Sequence, residues 1–201
     1  MTVTIRARNT GLPSGGMFPG GIIQVSSGFN TTSSSAVFTR RNGWSHVPGR
    51  LQCALRPEAI GNKVHLEAKL QWGGYQGTNE SGGYDMAVGF RFFKRVNGSG
   101  WYSAGNILLT PQPGTNVETR VGTGTYRYAW DLNTTNGNAW GDWMQYTDTV
   151  SETGLHEYCV FWSCLYEGSA ARTILWNRSY NTGNSYNPTN TCCIVATEIK
   201  A

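Results

Sequence analysis

One stretch constrains this chain more than any other: Thr191-Cys-Cys-Ile-Val-Ala-Thr-Glu-Ile199. It is apolar on both of its faces, which an exposed edge strand is not. Such a strand belongs in the middle of a sheet or against a partner chain. Two further apolar strands precede it in the last third of the chain, beyond Tyr146, followed by a loop of Asn, Gly, Ser and Tyr. The earlier strands must therefore form the sheet into which this segment docks.

At 201 residues the chain is long enough for one large all-β domain. Charged residues make up 14%, against about 25% in ordinary globular domains. Eight Trp, ten Tyr and seven Phe supply bulky core, and 26 Gly supply turns. That balance fits a turn-rich antiparallel sandwich better than a helical or disordered chain. The net charge of +4 is spread thinly, with Arg40-Arg41 and Lys94-Arg95 as the basic doublets. No basic face interleaved with aromatics emerges, so no nucleic-acid partner is expected. No stretch approaches a membrane span, and no membrane partner is expected. The five cysteines, Cys53, Cys159, Cys164, Cys192 and Cys193, lack zinc-ribbon spacing and read as reduced thiols. The N-terminus has no charged start followed by an apolar block, so no signal peptide is expected.

Along the chain, Thr2 to Arg8 alternates, with Val3, Ile5 and Ala7 against Thr2, Thr4, Arg6 and Arg8. Gly11, Pro13, Gly15, Gly16, Pro19, Gly20 and Gly21 follow, so this strand signal has no sequence neighbour and reads either as an arm that pairs with something else or as a frayed terminus. Gly20 to Gly28 opens the main domain. Ala36 to Arg41 reads as a short edge strand and Gly43 to Arg50 as turn-rich. Leu51 to Leu55 follows as an apolar strand. Lys63 to Trp72 alternates strictly, with Val64, Leu66, Ala68, Leu70 and Trp72 on one face and His65, Glu67, Lys69 and Gln71 on the other. Tyr84 to Val96 leads into the hairpin signal Asn97-Gly98. Ile107 to Thr110, Val117 to Val121, Tyr126 to Leu132 and Trp143 to Val150 complete the middle. About ten short strands predict a sandwich or jelly roll.

No catalytic constellation emerges. His46, His65 and His156 are isolated, no Ser occupies a nucleophile elbow, and Gly122-Thr-Gly124 precedes a strand. Asp131, Asp142 and Asp148 lie among aromatics without a defensible acid–base spacing, and Asp142 reads as a turn residue. The chain is therefore read as non-enzymatic, with no cofactor and no metal. Trp101, Tyr102, Trp130 and Trp140, with Trp143, Tyr126 and Tyr128, offer flat faces to sugar rings or fill the core and interfaces.

Five stretches carry a family resemblance. They are Gly20-Gly-Ile-Ile-Gln-Val-Ser26; His46-Val-Pro-Gly-Arg-Leu-Gln-Cys-Ala-Leu-Arg-Pro57 leading into Asn62-Lys-Val-His-Leu66; Tyr146-Thr-Asp-Thr-Val150; Asn177-Arg-Ser179; and Thr191 to Ile199. Over residues 20–201 the chain resembles the trimeric jelly-roll domain of tailed-bacteriophage virion proteins, notably marine and cyanobacterial ones, with complement and tumour-necrosis-factor-like topology. It departs from that pattern in the long Trp-, Tyr- and Asn-rich stretch from Gly98 to Asp142, and in Cys192-Cys193, where Ser or Thr is commoner.

The resemblance implies an all-β antiparallel jelly-roll sandwich that forms a homotrimer; residues 1–19, which it does not cover, are read as an N-terminal attachment arm. Its first and last strands approach the threefold axis, making Ile22, Ile23, Val25, Ile194, Val195 and Ile199 the expected interface. It further implies a virion protein assembled in the host cytoplasm, decorating or cementing the capsid through Val3, Ile5, Arg6 and Arg8. The alternatives are the receptor-binding tip of a tail or head fibre recognising host surface glycans, and a free-standing lectin. The partners implied are capsid or fibre proteins and, for the alternatives, a glycan held by Trp101, Tyr102, Trp130 and Trp140.

Overall fold

The computed structural model describes residues 2–6, 20–38, 44–76, 86–101, 125–129, 138–164, 172–177 and 191–201. Every regular element among them is a β-strand: β1 Thr2–Arg6, β2 Ile22–Asn30, β3 Ser34–Phe38, β4 Ser45–Leu55, β5 Lys63–Gln76, β6 Met86–Val96, β7 Thr125–Ala129, β8 Asn138–Thr149, β9 His156–Cys164, β10 Arg172–Trp176 and β11 Cys192–Ile199. They form two antiparallel sheets. The larger runs β1-β2-β11-β5-β10-β3, with β8 on the other edge of β5; the smaller runs β4-β9-β6-β7. β11 lies between β2 and β5, so the last strand is central in the sheet.

The alternation along β5 becomes a division between inside and outside. Val64, Leu66, Ala68, Leu70 and Trp72 are buried, and they meet Leu51, Cys53, Phe90, Phe92, Tyr158, Val160 and Trp162 of the facing sheet. Ile194, Ala196, Ile174 and Trp176 join this core. Facing aromatics interlock across it: Trp72 and Trp176 lie 5.8 and 6.2 Å from Phe90, and Trp176 meets Trp162 edge-on at 6.0 Å.

Several local expectations change. Thr2–Arg6 has a strand neighbour in its own chain: β1 pairs with β2, Val3 opposite Ser27 and Ile5 opposite Val25. A connection of residues 7–21 hides this hairpin from a reading that looks for short turns. The turn-rich segment before Leu51 belongs to β4, which bulges between His46 and Leu51 while β9 runs on without extra residues. Gly49 and Arg50 take positive φ there, 72° and 53°. Asn30 holds the bulge by donating from Nδ2 to the carbonyls of Pro48 (2.7 Å) and Arg50 (3.0 Å). Asp142 lies in β8, not in a turn, and accepts the indole N–H of Trp72 at 2.5 Å. The expected strands Ile107 to Thr110 and Val117 to Val121 lie outside the described residues.

At Gly28 the backbones of the two sheets come close together. A Cβ there would sit 1.8 Å from the carbonyl oxygen of Gln52, a backbone atom that cannot rotate away. Gly28→Ala should therefore cost about 3 kcal/mol or more. Gly141→Ala on the exposed side of β8, where the nearest atom is the flexible Gln71 amide at 3.2 Å, should change little. Denaturant titration of both variants checks this, and a Gly28→Ala chain as stable as the parent contradicts it.

Candidate functional site

The inward residues of β11, Cys192, Ile194, Ala196 and Glu198, are buried, whereas Cys193, Val195, Thr197 and Ile199 on its other face are only partly covered. Strand register extends that outer face across the sheet in rows. Phe29, Cys193, Lys69 and Trp143 form one row across β2, β11, β5 and β8. Ser27, Val195, Glu67 and Gln145 form the next, and Val25, Thr197, His65 and Thr147 the third. Ile22, Ile199, Lys63 and Thr149 close the set.

Three large apolar side chains stand out from this face: Ile22 at 54% exposure, Phe29 at 51% and Trp143 at 60%. Beside Trp143 lies an open depression of about 480 Å³, lined by Glu67, Lys69, Trp143, Cys193 and Val195. The polar groups of the face satisfy one another in part. His65 Nδ1 lies 3.0 Å from the Thr147 hydroxyl, and Lys63 donates to Thr149 at 2.8 Å. Large apolar side chains spread among polar groups on one sheet face have the composition of a protein–protein interface.

The opposite outer face, on the smaller sheet, is covered within the chain. Phe93, Cys159, Phe161 and Trp101 form a second buried cluster with Trp44 against it. Phe93 stacks on Phe161 at 4.1 Å, and the Arg91 and Arg95 guanidinium groups lie 4.5 Å over Trp44 and Trp101. Arg95 also grips Glu157 with two hydrogen bonds of 2.7 Å.

No group of three His, Cys, Asp or Glu is placed to hold a metal ion among the described residues. Burial pushes the thiols of Cys159 and Cys192 up to about 12, and raises Cys53 as well, so all three stay protonated and unreactive. The Lys94–Asp148 pair at 2.8 Å bridges the two sheets, and Asp148 also accepts the Tyr158 hydroxyl at 2.9 Å.

The expected site residues divide. Ile22, Val25, Val195 and Ile199 are on the uncovered face. Ile194 is not: it points into the core with no exposure, because β11 alternates and its even-numbered residues face inward. Ile23 is also buried within its own chain, next to the register shift where Ile199 pairs with Ile22. Of the attachment residues, Val3, Ile5 and Arg6 are in β1, paired to β2, and Arg8 lies outside the described residues. Trp101, expected as a glycan contact, is 6% exposed and packed against Phe161 and Arg95. Tyr102 and Trp130 lie outside the described residues. Trp140 pairs in β8 opposite Trp72, its side chain outside them. Phe29 and Lys69 carry the outer face without having been singled out as interface residues; their alternation with buried neighbours was the available signal.

No family model matches the chain, and no curated protein matches it. One solved structure similar to it is described as "Structure of infectious bursal disease virus Gx strain", at 13% identity and a TM-score of 0.21. The match covers 94% of this chain and 43% of that one, so the chain spans less than half of its length. A likeness of that size carries no argument.

His156 gives the fold an acid limit. Its Nε2 donates to the Glu152 carbonyl at 3.0 Å, and burial, with Lys94 nearby, lowers its pKa below the ordinary 6.5 despite Asp148. His46 is lowered likewise, by burial and by Arg50 and Arg95. The unfolded chain then binds protons that the folded chain refuses, so these two groups subtract stability as pH falls below about 6.5. Melting temperature should drop between pH 7 and 5, and less steeply in His156→Gln. A His156→Gln profile parallel to the parent's contradicts this.

Proposed function

We propose that the chain is a non-enzymatic virion protein of a tailed bacteriophage, a trimeric jelly roll on the particle surface whose most favoured role is to decorate the capsid. One observation carries the reading. The sheet centred on β2 and β11 leaves Ile22, Val25, Phe29, Val195, Ile199 and Trp143 unburied in the single chain, whereas the other sheet's outer face is sealed. Two further copies of the chain around a threefold axis bury those groups.

Strand order supports the jelly-roll half of the proposal. The four-strand sets β2-β11-β5-β8 and β4-β9-β6-β7 have the chain order expected of a jelly roll's double Greek key. Four of the stretches that carry the resemblance fall largely in strands: Ile22 to Ser26 in β2, Leu51 to Leu55 in β4, Tyr146 to Thr149 in β8 and Cys192 to Ile199 in β11.

Attachment runs through β1. As the end strand of its sheet it offers its outer edge for a capsid strand to extend. The second reading, a fibre tip or lectin binding glycans, draws on the aromatic stretch from Gly98 to Asp142, from which the burial of Trp101 removes one candidate platform.

Antibody labelling of intact particles in the electron microscope tests the placement. Label over the head is expected. Label at tail or fibre ends favours receptor recognition, and unlabelled particles contradict both. A chain lacking residues 1–19 should still assemble yet fail to join particles. Undiminished incorporation contradicts attachment through β1.

A further inference from the structure

We propose that Lys94 and Asp148 become joined by an intramolecular isopeptide bond, a covalent clamp between the two sheets. Lys94 comes from β6 of the smaller sheet and Asp148 from β8 of the larger. Their side chains meet at 2.8 Å, Nζ to Oδ2, and the two residues are only 8% and 7% exposed. Tyr158 on β9 donates its hydroxyl to the same carboxylate oxygen at 2.9 Å, and His156 Nδ1 lies 3.4 Å from that hydroxyl. Because His156 Nε2 donates to the Glu152 carbonyl, Nδ1 faces the phenol as an acceptor. Burial and the Asp148 carboxylate raise the Tyr158 phenol, so it keeps its proton, while burial lowers His156 and keeps the imidazole neutral. An amine, a carboxyl and a proton-bearing hydroxyl thus converge at one buried point.

Burial is what makes this pair reactive. On a surface, water holds such groups as ammonium and carboxylate. The interior solvates two charges poorly, and passing one proton from Nζ to the carboxylate leaves a neutral amine against a neutral carboxyl. That amine is a nucleophile, and the oxygen it touches is one bond from the carbon it attacks. Nζ adds to Cγ, the C–N bond forms and the Cγ–Oδ2 bond breaks. The nitrogen's surplus proton goes to the departing oxygen, which Tyr158 holds by its hydrogen bond and which leaves as water. Nothing is oxidised or reduced, and no co-reactant is consumed. The product replaces two buried charges with one neutral amide. The neighbouring Arg95–Glu157 pair cannot follow, because a guanidinium stays protonated and both side chains are partly exposed. Closing the chain from Lys94 to Asp148 into a covalent loop keeps β6 and β8 joined when weaker contacts melt, and the unfolded chain loses entropy in proportion. The bond needs neither a particle nor a partner.

The test is the intact mass of the full chain, measured under denaturing conditions beside that of Lys94→Arg, which keeps the positive charge but cannot form the amide. After allowance for removal of Met1, the parent is expected to be lighter than its sequence by one water molecule. Lys94→Arg is expected at the full mass of its own sequence. Proteolysis of the parent should release a branched peptide in which the Lys94 side chain is joined to that of Asp148. A parent entirely at full sequence mass overturns the proposal. So does a loss of water that persists in Lys94→Arg, or one that maps to any other pair of residues. Should Lys94→Arg fail to fold, the parent's own mass and peptide map still decide, since neither depends on the variant.

Discussion

The fold depends on how β11 is held. This strand pairs with β2 over one edge and β5 over the other, so residues from the start, middle and end of the chain meet in three adjacent strands. Side-chain bonds fasten it at both ends. Near its end, the fully buried Glu198 carboxylate accepts N–H bonds from Gln24 (2.5 Å), Asn62 (2.6 Å) and the backbone of Glu58 (2.8 Å). At its start, the Cys192 thiol donates to Asn177 Oδ1 at 2.7 Å, and Asn177 donates to the carbonyls of Asn30 and Thr32. A buried carboxylate is tolerable only with such donors, and losing them leaves a charge the interior cannot solvate. Because these bonds span most of the sequence, the sandwich cannot close until its last strand arrives.

The two sheets are joined by apolar packing and by the Lys94–Asp148–Tyr158 cluster, yet they differ on the outside. The smaller sheet buries its outer face with Trp44 and Trp101, each capped by an arginine. The larger sheet has no such lid among the described residues, and its large apolar side chains reach solvent. One sheet's outer face is covered by its own chain, and the other's is left open by the described residues. That asymmetry underlies the proposed assembly more than any single residue does.

Much of this was legible in the chain. Strict alternation from Lys63 to Trp72 specified which face of β5 is core, since a strand's side-chain period is two. The apolar character of Thr191 to Ile199 required a central position. Three things resisted reading. The β1–β2 pairing was hidden by the long connection between them. Both Ile194 and Val195 are apolar, so composition could not tell the core face from the outer one; register decides it. Trp101 and Trp143 are alike as side chains, and only tertiary packing buries one beneath Arg95 and leaves the other exposed. The bulge at Pro48 to Arg50 looked like a turn because positive φ and a proline are turn chemistry, whereas Asn30 reaches across to make it part of a strand.

The central claim is that the outer face of the larger sheet is buried against other copies of the chain. Sedimentation equilibrium of the intact protein addresses it directly. The account predicts a mass of about three times 22.1 kDa, held on dilution through the micromolar range. A mass of one chain at every concentration would contradict it and leave Phe29, Val195 and Trp143 without their proposed cover.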